Sequence, residues 1–133
     1  MTISTFILAI ALVETGNNPA AIGRAGERSE YQFRRATWEC YTALPFDEKH
    51  TRDRKFTRTI ATRHADSLQR ASRHAKSEHE QVYLCAAAWK CGPRVLAWKQ
   101  TKEQLTPATR DYAERVWNVY QDLKRKDTLP PAR

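Results

Sequence analysis

Glu14 closes an apolar run, Phe6 to Val13, and opens onto a stretch rich in turn-forming residues, which places a carboxyl group at the rim of any cleft formed there. Apolar neighbours disfavour the ionised form of such a group and raise its pKa. A carboxyl kept protonated near neutral pH can pass its proton to a leaving glycosidic oxygen. Taken alone, a glutamate at a helix end is most often structural, so its surroundings must carry the assignment. The other reactive types carry less chemistry. His50, His64, His74 and His79 have neither an i, i+4 pair nor a cysteine at ligand spacing, and no metal site is expected. Cys40, Cys85 and Cys91 are odd in number and lack metal-ligand spacing, so they read as small buried thiols. A Cys85–Cys91 bridge would need a sharp turn at Gly92 and is not expected.

The elements that must position Glu14 follow from periodicity and caps. Ile3, Phe6, Ile7, Ile10 and Val13 lie close to one helical face, with Thr2 or Ser4 as cap and Glu14 at the C-terminal end. From Thr15 to Phe33 the chain holds Gly16, Asn17, Asn18, Pro19, Gly23 and Gly26, a composition suited to a loop or short hairpin. A short helix is predicted over 34–41, ended by Leu44 and Pro45. The basic stretch then forms a helix with Phe56, Ile60, His64, Leu68 and Ala71 on one side. Ser77 and Glu80 form a capping box for the next helix, through Val82, Leu84, Cys85, Ala88 and Trp89, which Gly92 and Pro93 close. Another helical turn is predicted over 94–99. Thr106 and Pro107 start the last helix, whose inner face carries Tyr112, Val116, Val119, Tyr120 and Leu123.

With 133 residues, 41% hydrophobic and 29% charged, the chain is expected to form one domain with a real core. The fold class is mainly α: a single compact helical domain over 1–123 with a short irregular or hairpin lobe after the first helix. The tail over 124–133, with Pro130 and Pro131, is expected to fray. A net charge of +8 suits a polyanionic partner. Much of it lies in one stretch, where Lys49, Arg52, Arg54, Lys55, Arg58, Arg63, Arg70, Arg73 and Lys76 face only Asp53 and Asp66. A solvated helix face is the simpler reading of that run, and a polyanion-binding face the alternative. Phe6 to Val13 is too short to span a bilayer, is preceded by no Lys or Arg, and leads to no small-residue cleavage site. It reads as a core helix, and no export signal is expected in the chain as given.

Three ordered blocks sharpen the reading of Glu14. Glu14-Thr15-Gly16-Asn17-Asn18-Pro19-Ala20-Ala21, then Gly26, Tyr31-Gln32-Phe33 and Ala36-Thr37-Trp38, resembles the first half of the soluble lytic transglycosylase and goose-type lysozyme superfamily. The segment from Ala87 to Val95 resembles its Ala-Tyr-Asn-x-Gly segment, and the one from Thr109 to Val116 its closing helix. The resemblance covers about Ile7 to Tyr120, leaving the basic middle unmatched. It implies a lysozyme-like fold and a monomer that acts on peptidoglycan glycan strands in the periplasm or outside the cell, without a cofactor. It makes Glu14 the general acid and base, sets Ser29, Tyr31 and Gln32 in the cleft wall, and brings Tyr112 within hydrogen-bond reach of Glu14.

Two departures stand out. Trp89-Lys90 replaces the family's usual Tyr-Asn, so an indole and an ammonium stand where a phenol and an amide are expected. A Lys90 pointing into the cleft would lower the pKa of Glu14, and the sequence reading has it pointing outward. In the loop Glu27-Arg28-Ser29-Glu30, Ser29 and Glu30 replace a glycine and an apolar residue that are common there.

A second carboxylate would decide the reaction. Inverting glycosidases hold an acid and a base roughly 6.5 to 9.5 Å apart, and retaining ones bring the pair to about 5 Å. Glu27 is the candidate base, with a simple loop ion pair to Arg24 or Arg28 as the alternative. Lytic transglycosylases need no such base, because the muramic acid 6-hydroxyl attacks its own anomeric carbon and leaves a 1,6-anhydro end. Trp38, Trp89, Trp98 and Trp117 can stack on sugars, although buried tryptophan is mostly core; Trp38 and Trp89 lie nearest the expected cleft. The alternative from another class is a lysozyme-fold module that binds glycan or nucleic acid without catalysis. No helix-turn-helix spacing or interleaved aromatic and basic ribbon supports nucleic acid as the partner.

Overall fold

The first helix, α1 (Ile3–Thr15), forms where the apolar run predicts it and buries Phe6, Ile7, Ala9 and Ile10 at 2% exposure or less. Thr2 stands at its N-cap without a side-chain bond; its backbone N–H instead donates to the Tyr120 hydroxyl at 2.9 Å. At the other end Gly16 turns left-handed with φ +66°. The N–H groups of Gly16 and Asn17 then return to the carbonyls of Leu12 and Ala11, at 3.0 and 2.9 Å. This closure satisfies carbonyls that a helix end leaves bare, and only glycine adopts its backbone without a Cβ penalty. Glu14 is thereby fixed in the last turn of α1. The structure, a computed structural model, describes residues 1–97 and 104–128.

The lobe after α1 has little regular structure. Isolated antiparallel bridges pair Ile22 with Arg28 and Arg28 with Phe33, and the chain reverses between them through Ser29 to Gln32. Ser29 and Gln32 both take positive φ, +77° and +54°. Each costs an L-residue of order 1 kcal/mol, so the reversal is held by its surroundings and not by local preference.

Among the described residues six further helices follow: α2 (Arg35–Glu39), α3 (Glu48–Thr51), α4 (Arg54–Ala71), α5 (Glu78–Cys91), α6 (Arg94–Ala97) and α7 (Pro107–Thr128). The chain is mainly helical, as the periodicity predicts. Helix α7 packs against both α1 and α5, and α1 also packs on α4. The core lies among them, with Trp38, Val82, Ala113, Val116 and Tyr120 fully buried. Fully burying one large apolar side chain contributes roughly 1.5–3 kcal/mol, and this is what holds the helices together. No described helix is long and apolar enough to cross a membrane.

Several local expectations are corrected. The basic stretch is not one helix, because Asp53 caps a new one: its Oδ1 accepts from the N–H groups of Lys55 and Phe56, at 3.1 and 3.2 Å. Lys49 therefore falls in α3 and Arg52 in the connection. Ala71, predicted on the inner side of α4, is exposed at its last turn. Trp38 is core and not a cleft residue, since Phe33, Phe46 and Phe56 surround its ring and its Nε1 donates to the Leu44 carbonyl at 2.8 Å. Of the three thiols only Cys85 is buried; Cys40 and Cys91 lie exposed near helix ends. The last helix continues past Leu123 to Thr128, so the fraying expected from Lys124 is not found over 124–128, where the Lys124 ammonium reaches Glu78 at 3.3 Å; the rest of that tail lies outside the described residues. The predicted turn over 94–99 is helical over Arg94–Ala97; the rest of it, Trp98 included, lies outside the described residues.

The caps of the later helices match more closely. Ser77 Oγ accepts from the Glu80 N–H at 3.0 Å, while the Glu80 carboxylate reaches one residue further back than a capping box would, to the Lys76 N–H at 2.8 Å. Thr106 Oγ1 accepts from the Thr109 N–H at 3.2 Å, ahead of Pro107 in the first turn of α7.

Candidate active site

A cleft of about 470 Å³ opens beside the end of α1, lined by Glu14, Glu27, Gln32, Arg34, Trp89 and Lys90, with Cys91 at its edge. Three elements build it: the last turn of α1, the lobe, and the last turn of α5. Tyr112, from the start of α7, reaches the same point from below and donates its hydroxyl proton to Glu14 Oε1 at 2.7 Å. Its ring is 6% exposed, so this donor is held in place by packing.

Glu14 is half-buried, and burial raises its pKa above the ordinary carboxylate value. The Tyr112 hydrogen bond and the Lys90 charge pull the other way, the Glu27 carboxylate adds to the rise, and Arg115 opposes it. The net shift is upward, so desolvation outweighs the nearby cation. Lys90 does point into the cleft, contrary to the sequence reading, because its ammonium sits over the Tyr112 ring at 5.1 Å from the centroid. Arg34 is tied to the same place, with Nη2 donating to the Lys90 carbonyl at 2.6 Å.

Glu27 faces the cleft because Gly23 leaves room for it. A Cβ on Gly23 would come within 1.9 Å of Glu27 Oε2 and 2.5 Å of Gln32 Oε1. The backbone is closed at the same point, with the Gly23 N–H donating to the Glu27 carbonyl at 2.8 Å. Gln32 is oriented by its Nε2, which donates to the Ser29 carbonyl at 2.9 Å. Trp89 presents a half-buried indole, its Nε1 donating to the Tyr31 carbonyl at 3.0 Å while its ring packs on His64, Phe33 and Phe6.

Of the residues singled out in the sequence, Glu14, Glu27, Gln32, Trp89, Lys90 and Tyr112 thus come together. Ser29 and Tyr31 do not join them. Ser29 is 1% exposed and spends its hydroxyl as acceptor of the Tyr31 N–H at 3.1 Å, inside the tight reversal. Tyr31 turns to the far side of the lobe, where it lines a second cavity of about 370 Å³ between α1 and α4, with Ile7, Leu8, Glu30, Arg54 and Arg58.

Arg34 and Cys91 are cleft residues the sequence reading missed. Arg34 carries no sequence signal beyond a helix start, and the sequence pattern of Cys91 reads as a buried thiol. Glu30 stands out in the sequence only as a departure from the resemblance, yet it is a carboxylate with 1% exposure. Its Oε1 accepts from Thr57 Oγ1 at 2.6 Å, and Oε2 has no hydrogen-bond partner among the described residues. Its carbonyl accepts from Thr15 Oγ1 at 3.0 Å, so Glu30 ties the lobe to both α4 and the residue after Glu14. Burial pushes its pKa up as well.

Among the described residues no group of three His, Cys, Asp or Glu side chains is placed to hold a metal ion. His64 packs against Trp89 and shares a 2.9 Å hydrogen bond with the Tyr41 hydroxyl. Burial lowers its pKa to about 4, which keeps it neutral. The arrangement supplies one proton donor, one further carboxylate, two cations, an amide and an indole around a solvent-open cleft. Compared with models of protein families, with curated proteins and with solved structures, the chain matches none.

Proposed function

We propose that the protein cleaves peptidoglycan glycan strands at the β-1,4 bond between N-acetylmuramic acid and N-acetylglucosamine, with Glu14 as general acid and then base. The observation that carries this reading is the Glu14 carboxyl itself: pushed toward its protonated form by burial, oriented by Tyr112, and open to a cleft wide enough for a saccharide. Such a group protonates the leaving oxygen as the glycosidic bond stretches. In the transglycosylase course the ionised Glu14 takes the proton of the muramic acid 6-hydroxyl, which closes on the anomeric carbon. The resemblance to the lytic transglycosylase and goose-type lysozyme superfamily, read from three ordered sequence blocks, supports this course. We propose the cell wall as the place of action and the exposed cations of α4 as the charge that draws the protein to anionic wall polymer.

The presence of Glu27 in the same cleft favours a second reading, hydrolysis by water with Glu27 as base. Digestion of purified cell wall, followed by mass spectrometry of the products, separates the two, because an anhydro end is lighter by one water. Glu14→Gln is expected to lower cleavage at least about 100-fold, the lower range for loss of a general acid. Full activity in that variant, or no lysis by the parent protein at any pH, rejects the assignment.

A further inference from the structure

The cleft holds more positive charge than the proposed chemistry needs. Lys90 and Arg34 both line it, together with the carboxyls of Glu14 and Glu27. Neither cation forms an ion pair with a carboxylate among the described residues. Lys90 is half-buried in the last turn of α5, and its contact with the Tyr112 ring holds the ammonium on the Glu14 side of the cleft. Arg34, exposed at the N-cap of α2, spends one donor on the Lys90 carbonyl. A guanidinium carries five donors in a fixed fork, so most of them remain for a ligand. The Arg34 guanidinium on the Lys90 carbonyl and the Lys90 ammonium over the Tyr112 ring thus line one cleft with Glu14, where both can face an anion on a bound glycan.

We propose that Lys90 and Arg34 are specificity-determining residues that bind a carboxylate on the saccharide flanking the scissile bond, so the cleft selects acidic glycans over neutral ones. This rests on the glycan-cleaving reading and refines it. Two carboxylate sources fit, the free lactyl group of a peptide-free muramic acid and the acid groups of a stem peptide. In either case the anion also offsets the charge by which Lys90 disfavours protonated Glu14, so an acidic substrate restores the acid that a neutral one leaves weakened.

The test measures binding by calorimetry in the Glu14→Gln background, where turnover is removed, with three probes: neutral chitotetraose, a peptide-free muramyl tetrasaccharide, and the same glycan bearing stem peptides with the lactyl group amide-linked. The peptide-free muramyl glycan, the peptide-bearing one, or both are expected to bind about ten-fold tighter than chitotetraose, about 1.4 kcal/mol. The arm that keeps the preference identifies the carboxylate. Adding Lys90→Gln and Arg34→Gln is expected to bring the probes within about two-fold of one another, with an unchanged circular-dichroism spectrum as the sign of an intact fold. Equal affinity for all three probes before those changes, no binding of any probe, or a preference that survives them overturns the proposal. Cleavage by the parent protein is scored separately. Cleavage without the preference removes this inference and leaves the proposed function, whereas the preference without cleavage does the reverse.

Discussion

As the proposed general acid, Glu14 depends on burial outweighing the groups that oppose it, and two of those are single side chains. Tyr112 and Lys90 both hold its pKa below where burial alone would leave it. A general acid must be protonated, so activity is lost as pH rises through that pKa. Removing either opposing group raises the pKa and moves the alkaline limb of the kcat/KM profile to higher pH. Lys90→Gln is therefore expected to extend activity upward in pH. Tyr112→Phe is expected to do the same while lowering the optimum rate by up to about ten-fold, the worth of one orienting hydrogen bond. A limb that moves down in pH in either variant contradicts the electrostatic account.

At the scale of elements, two glycines fix how the lobe meets α1. Gly16 ends α1 in a conformation that costs an L-residue of order 1 kcal/mol, so Gly16→Ala is expected to lower the thermal midpoint by roughly 4 °C. Gly23 matters for space and not for φ. Its alanine variant would meet the movable ends of Glu27 and Gln32, so the fold is expected to hold within about 1 kcal/mol while both side chains leave their places. Parallel losses of activity in Gly23→Ala and Glu27→Gln would mark Glu27 as a working base. Full activity in both would leave Glu14 to act alone, as the transglycosylase course requires.

Across the whole molecule, pH acts on stability through His64, where α4, α5 and the lobe meet under Trp89. Its imidazole titrates at about 4 in the fold against 6.5 unperturbed. Between those values the unfolded chain binds a proton that the folded one refuses. Stability is therefore full above about pH 6.5 and falls as pH drops toward 4, by up to about 3 kcal/mol. Glu14 and Glu30 act in the opposite sense, since their raised values make the fold bind protons more readily. Comparing the parent with His64→Gln isolates the histidine. Chemical denaturation at pH 7 and pH 4.5 is expected to give a smaller loss for the variant, and equal losses would remove His64 as the cause.

Much of this was written locally. The apolar run that buries α1, the turn residues of the lobe, the caps at Ser77 and Thr106, and Glu14 at a helix end all depend on near neighbours in sequence, which is why periodicity and composition expose them. The meeting of Glu14, Gln32, Trp89 and Tyr112 is not local in this sense, since Tyr112 lies 98 residues from Glu14 along the chain. The direction of a side chain depends on what packs against it from elsewhere. Ser29 and Tyr31 turned away from the cleft because two strained residues reverse the chain between Arg28 and Phe33, and Trp38 went to the core because three phenylalanines surround it. Lys90 turned inward because α7 offers it the Tyr112 ring. The sequence determined the Glu14 carboxyl and the helix end that carries it; tertiary packing alone decided which charges face that carboxyl, because those charges come from segments distant in the chain.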